Sequence, residues 1–273
     1  MIYQDLSTFI QRFRNEHIGY VSAIIAAILF GSISTVTKPL LEDLNALSVS
    51  SFTYLIAGLS LIPFLIFSSN SNNNNDKIVE SNNTLNKTKK TNNNNRSYFL
   101  LALTSICGAV IAPSLFFFGL SNTSASDSSI LVNGEVLFSI LLALIFFNEK
   151  IVKREILAII LVLIGIVILT TNMQISNFAL ELNIGNILIV GSTLFWGLDN
   201  NLSKIISKTI HIPKIIILKS LIGGLLFILT IIIFGIDGFK VNLLHIPYLL
   251  FAGSLRFGVS LSFFFIVLKG LER

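Results

Sequence analysis

The sequence predicts an all-α membrane protein built as an inverted repeat of five-helix units, and three observations carry that prediction. Apolar residues make up 53% of the 273-residue chain and charged residues only 12%, with a mean hydropathy of +0.82, whereas soluble domains carry roughly 25% charge. Apolar stretches recur at about 20 residues each, the length a helix needs to cross a hydrocarbon core of about 30 Å. The pattern of the first half then restarts in the second at a fixed offset. The spans must be helices, because a bilayer offers backbone N–H and C=O groups no water to bond to.

Eight spans are read, at 18–38, 48–67, 98–119, 126–147, 154–171, 184–203, 213–234 and 247–268. Ahead of them, residues 1–17 place Leu6, Phe9, Ile10 and Phe13 at helical spacing, an amphipathic segment expected on the cytoplasmic membrane surface, with a partly ordered tail as the competing reading. Span one ends at Lys38–Pro39, where the proline stops the helix and the lysine reaches the outer interface. Span two carries Tyr54, Gly58 and Pro63 and opens into residues 68–97, an Asn-rich stretch with Lys87, Lys89 and Lys90. That composition cannot bury a core, so a disordered cytoplasmic loop is expected there.

Span three holds Gly108, Pro113 and the run Phe116–Phe118, and a proline inside a span removes a backbone hydrogen bond and marks a kink. Small residues from Ser121 to Ser126 precede span four, which sets Asn133, Gly134 and Glu135 below the outer surface. Span five, from Arg154 to Thr171, is almost purely aliphatic and reads as scaffold. Span six contains Phe195 to Lys204, in which Asp199, Asn200 and Asn201 interrupt an otherwise apolar helix.

At this point the pattern repeats. An offset of 166 maps Gly31 onto Gly197, Lys38 onto Lys204, Leu55 onto Leu221 and Gly58 onto Gly224, and sets Thr53 against Lys219. The offset then falls to 147, matching Phe116–Phe118 with Phe263–Phe265; the 19-residue difference is what the Asn-rich insertion produces. A unit with an odd number of spans makes the next unit enter from the opposite side, the plan of many secondary transporters. The first unit is 18–171 and the second 184–273, which holds spans six to eight; ten spans are expected in all, two of them beyond Arg273, with an eight-span protein as the alternative reading.

The net charge of +5 does not indicate nucleic acid, because the cations alternate between loops. With the N-terminus inside, fifteen of the nineteen lysines and arginines are cytoplasmic and only Lys38 and Lys240 are outside, the asymmetry of a polytopic protein in the cell membrane. Lys219 and Arg256 remain within spans. The lone Cys107 excludes an intramolecular disulfide. No Gly-rich phosphate loop is present, which speaks against an ATP-driven pump.

The chain resembles the EamA-type members of the drug/metabolite transporter superfamily, which have two five-helix repeats. The resemblance rests on Phe30–Gly31 through Lys38–Pro39–Leu40–Leu41, Tyr54–Leu55, Leu131 through Phe138 with its Asn-Gly-Glu, Glu149, Trp196 through Leu202, Lys219 and Gly223–Gly224. It covers nearly all of the chain from Ile18 onward. Val136 stands where the family commonly has a proline, a change expected to alter the local kink. The resemblance implies movement of small metabolites across a cell membrane.

Four charges lie within spans: Glu135, Asp199, Lys219 and Arg256. A charge at the bilayer centre costs about 2.5–3.5 kcal/mol on insertion scales, so such residues are expected to be paired or hydrated and to mark a site. Depth along the spans pairs Asp199 with Lys219 in the inner half and Glu135 with Arg256 nearer the midplane. The functional reading makes these four, with Asn133, Asn200 and Asn201, the lining of a substrate and coupling cavity. A carboxylate removed from water tends to take up a proton, which makes Glu135 and Asp199 the candidates for a coupling proton. The competing reading of each pair is an ion pair that fixes helix packing. Glu149 reads as an interfacial residue, Trp196 as core packing or an anchor, and His17, His211 and His245 as surface residues without metal-ligand spacing.

The expected function is therefore a secondary transporter working by alternating access, with no cofactor and no metal. Its expected partners are a small-molecule metabolite, the lipid bilayer and a second copy in a homodimer. A membrane-embedded enzyme acting on lipid-linked substrates and a non-transporting scaffold are the competing classes; the first would need a catalytic cluster at one interface, which the sequence does not display.

Overall fold

The computed structural model of the protein describes residues 21, 28–29, 31–79, 90–147, 153–170, 183–210, 212–237 and 240–254. The segment 1–17, Glu149, Arg256 and Phe263–Phe265 fall outside the described residues. Among those described, the chain is helical without strands. In order it forms α1 (Ile33–Thr37), α2 (Leu40–Asp43), α3 (Ala46–Val79), α4 (Lys90–Ile106), a π-helical turn (Cys107–Ile111), α5 (Ala112–Ser121), α6 (Ala125–Leu131), α7 (Gly134–Phe147), α8 (Lys153–Thr170), α9 (Ile184–Ile206), α10 (Ile212–Ile233), a 3₁₀ turn (Leu243–His245) and α11 (Ile246–Leu250). Residues 251–254 continue α11 in a π conformation.

Four helices among the described residues are long and apolar enough to cross a membrane: Ala46–Pro63, Arg96–Ser121, Ala125–Phe147 and Ile212–Ile233. Helix α9, at 23 residues, is about 35 Å long by helical rise, but its polar residues leave it less apolar than these four. The hydrophobicity of the molecule is turned outward. On α8, Leu157, Leu161, Ile164 and Val167 are exposed, while Ser48, Ser50, Ser51, Thr53, Thr104, Ser105, Ser128, Ser192 and Thr193 are buried. In water such an arrangement would be an aggregation hazard; in lipid, where apolar contact outside costs nothing, it is the expected one.

The segment expected to be a disordered loop differs in part. The α3 backbone continues to Val79 and α4 begins at Lys90, so 68–79 and 90–97 are helical. A helix already nucleated by an apolar span adds one hydrogen bond per residue fixed, which lets it run into residues of modest propensity such as asparagine.

Helices α3 and α10 pack closely through small residues. A side chain on Gly58 would meet Leu221 at 2.8 Å, and one on Gly224 would meet Leu55 at 2.7 Å. The two contacts exchange under the offset of 166, since Leu55 corresponds to Leu221 and Gly58 to Gly224. The larger apolar cluster lies on the other side of α3, where Phe116 and Phe117 of α5 pack edge to face at 5.1 Å and Phe116 meets Trp196 of α9 at 5.4 Å.

Several bonds tie the elements at one end of the bundle. Lys38 donates to the carbonyls of Leu120 (2.7 Å) and Ser121 (3.1 Å), capping the C-terminus of α5 with a cation where the helix dipole favours one. Ser34 and Ser128 share a hydrogen bond at 3.0 Å, and Thr123 donates to Asn186. His245 is largely covered, with a side chain 12% exposed, instead of lying on the surface. Its Nδ1 accepts the Asn242 N–H, which leaves the proton on Nε2 to be donated to Asp43 at 3.1 Å.

Candidate functional site

Most polar residues of α9 are turned into the protein, Asn200 and Lys204 being the exposed ones. Asn186, Ser192, Thr193, Asp199 and Asn201 are buried, while Ile184, Ile187 and Leu194 are exposed. A helix that buries its polar face inside an apolar shell gives those groups partners of their own, and here two neighbouring constellations supply them.

The first is an ion pair. Lys219 Nζ of α10 lies 2.5 Å from Asp199 Oδ2, with side chains 13% and 5% exposed, and Ser203 donates to the other carboxylate oxygen at 3.2 Å. Both charges sit seven residues inside their spans, Asp199 from Ile206 and Lys219 from Ile212, about 10 Å deep by helical rise. The pairing expected from depth is thus formed. A buried pair holds together because removing either partner leaves an uncompensated charge in low dielectric.

The seat of that pair is made by the third span. In the π-helical turn the Ala112 N–H bonds to the Cys107 carbonyl, five residues back. In an α-helix that N–H would serve Gly108. The next position that could serve the Gly108 carbonyl is Pro113, which has no N–H. The Gly108 carbonyl therefore leaves the helical ladder and accepts two side-chain bonds, from the Tyr54 hydroxyl at 3.1 Å and from the Trp196 indole at 3.2 Å. On the other side of Gly108 lies Asp199: an added side chain would come within 2.2 Å of the carboxylate. The glycine is required there by space.

The second constellation joins α9 to α7. Asn200 donates to Glu135 Oε1 at 2.7 Å and to the Ser139 hydroxyl at 3.2 Å. Asn201 donates to the Ser139 carbonyl at 3.0 Å and to the Gly197 carbonyl at 2.8 Å. Close approach is possible because Gly197 faces Phe138 and Ser139 without a side chain, where a Cβ would meet backbone at 2.9 Å. Asn200 is exposed and Glu135 half-buried, whereas Asn201 is buried with its amide spent on backbone. Asn133 also turns to backbone, donating to the carbonyls of Ser129 and Ile130. Those bonds lie at the break between α6 and α7, three residues ahead of Val136.

Of the seven residues expected in the cavity, Asp199 and Lys219 come together, as do Glu135 and Asn200, with Asn201 adjacent. Asn133, at the break between α6 and α7, turns its amide to the backbone of α6, and Arg256 lies outside the described residues. Gly108, Ser139 and Ser203 carry no signal in composition. The register of Gly108 to Pro113, an acceptor five residues ahead of a residue without N–H, is the one clue the sequence held.

The family model of EamA-like transporters matches residues 17–171. The chain is 32% identical over 252 residues to an "Uncharacterized transporter" of Methanothermobacter thermautotrophicus, an alignment that covers 92% of this chain and 71% of that protein. A solved structure described as "Crystal structure of protein" shares the fold with a TM-score of 0.60 over 91% of this chain and 78% of its own, at 12% identity. With the family matched over more than half its length and a relative similar along nearly all of it, the chain belongs to the EamA-like transporter family and is a multi-pass membrane transporter.

Proposed function

We propose that the protein is a secondary transporter that carries a small metabolite across the cell membrane by alternating access, coupled to protons, and is not an enzyme. The observation that carries this reading is the pairing of Glu135 with Asn200 beside the buried Asp199–Lys219 pair. A half-buried carboxylate with an exposed amide can bond a polar solute, and a buried ion pair one residue along the same helix can respond to its charge.

Three further features support it. The reciprocal contacts of Gly58 with Leu221 and Gly224 with Leu55 are ones that two units related by a pseudo-two-fold axis would make. The third span and the start of the eighth each contain a π-helical stretch, at Cys107–Ile111 and at 251–254. The bonds of Lys38, Ser34, Thr123 and His245 hold together the end that the charge asymmetry assigns to the outside, as a conformation closed at that end requires.

The test is uptake into proteoliposomes of the full-length protein, using radiolabelled amino acids, organic cations, sugars and sugar phosphates. At least one class is expected to enter faster than into protein-free liposomes, and Glu135→Gln is expected to lower that rate at least tenfold. Uptake no faster than the protein-free control for every class would overturn the reading.

A further inference from the structure

We propose that the π-helical turn of the third span is the positioning element of the Asp199–Lys219 pair, with Gly108, Tyr54 and Trp196 as positioning residues. The inference rests on the reading of that pair as part of the transport site, but its structural content can be tested apart from transport.

Three geometric facts converge on Gly108. Its carbonyl is outside the helical ladder because the π register gives Ala112 to Cys107 and because Pro113 has no N–H. That carbonyl draws one donor from α3, Tyr54, and one from α9, Trp196. The Gly108 α-carbon faces the Asp199 carboxylate closely enough to exclude any side chain.

Trp196 and Asp199 are three residues apart on α9 and therefore share a face. Fixing the indole to Gly108 fixes the rotation of α9 and with it the direction of the carboxylate. The glycine α-hydrogens leave the volume that the carboxylate occupies on its way to Lys219 at 2.5 Å. One backbone defect thus joins the second, third, sixth and seventh spans at the charge pair. A regular α-helix at 107–111 would return the Gly108 carbonyl to Ala112 and release both donors.

The chain contains a single tryptophan, so its fluorescence reads the Gly108 bond directly. In detergent-purified full-length protein, Gly108→Ala is expected to lower the melting temperature by about 5 °C or more. The same substitution in an Asp199→Gly/Lys219→Met background, where both the carboxylate at 2.2 Å and the Asp199 Cβ at 2.7 Å are gone, is expected to shift it by less than about 2 °C. An equal loss in both backgrounds, including failure of both to fold, would overturn the proposal.

Pro113→Ala supplies the second reading. It returns an N–H to the helix that competes for the Gly108 carbonyl, and the Trp196 emission maximum is expected to shift; an unchanged spectrum would overturn the proposal. If transport is lost in Gly108→Ala while the melting cycle shows no coupling to Asp199, the positioning role fails. If the cycle and the spectrum behave as expected and no solute is transported, the positioning role stands and the transport reading fails.

Discussion

At the scale of single residues, the Asp199–Lys219 pair sets the strongest expectation. Both side chains are nearly buried and 2.5 Å apart, so substituting one partner strands the other. Lys219→Met alone is expected to destabilise the protein by about 3–5 kcal/mol, while Lys219→Met combined with Asp199→Ala recovers most of that loss. Denaturation midpoints of the two variants check it. The pair was legible before the fold because an acid and a base at matching depths in consecutive spans have few other partners. Gly108 was not, because a π turn changes hydrogen-bond register without changing composition. His245 was misread as a surface residue because its partner, Asp43, is 202 positions away, and no local spacing records such a contact.

The element that concentrates the chemistry is α9. Its buried face carries Asn186, Ser192, Thr193, Asp199 and Asn201 beside apolar residues, and Ile184, Ile187 and Leu194 are exposed, so equal-sized changes on the two faces should differ in cost. Ser192 is fully buried and Leu194 exposed. Ser192→Leu is expected to cost about 1–3 kcal/mol through overpacking, whereas Leu194→Ala on the lipid side is expected to change stability by less than about 0.5 kcal/mol; thermal unfolding in detergent separates the two. The existence of this helix and its polar stretch were readable from Asp199, Asn200 and Asn201. Which amides are available was not: Asn201 and Asn133 both turn to backbone carbonyls, and rotamers chosen by tertiary neighbours leave no trace in spacing. The helical backbone on both sides of the Asn-rich insertion was missed for a related reason, since composition measures propensity and not the adjoining span that propagates a helix.

For the whole molecule, the repeat is the organising claim. The offset of 166 read from sequence sets Leu55 against Leu221 and Gly58 against Gly224, and in the fold Gly58 meets Leu221 and Gly224 meets Leu55. If the two contacts are related by a pseudo-two-fold axis, Gly58→Ala and Gly224→Ala should destabilise by similar amounts, about 1–3 kcal/mol each; costs that differ severalfold would argue against the symmetry. The all-helical membrane architecture was fully visible in composition and in the recurrence of apolar spans, because the bilayer permits so few alternatives.

The most direct measurement of the central claim, that the polar face of α9 carries a proton-coupled transport site, is solute-driven proton flux in proteoliposomes containing a pH-sensitive dye. With the solute class that uptake identifies, the unsubstituted protein is expected to change the lumenal pH. Glu135→Gln is expected to reduce that flux at least tenfold without loss of folded protein, and Asp199→Asn, which strands Lys219 and so lowers stability, is expected to do the same when compared at equal amounts of folded protein. Undiminished flux in both variants would contradict the account.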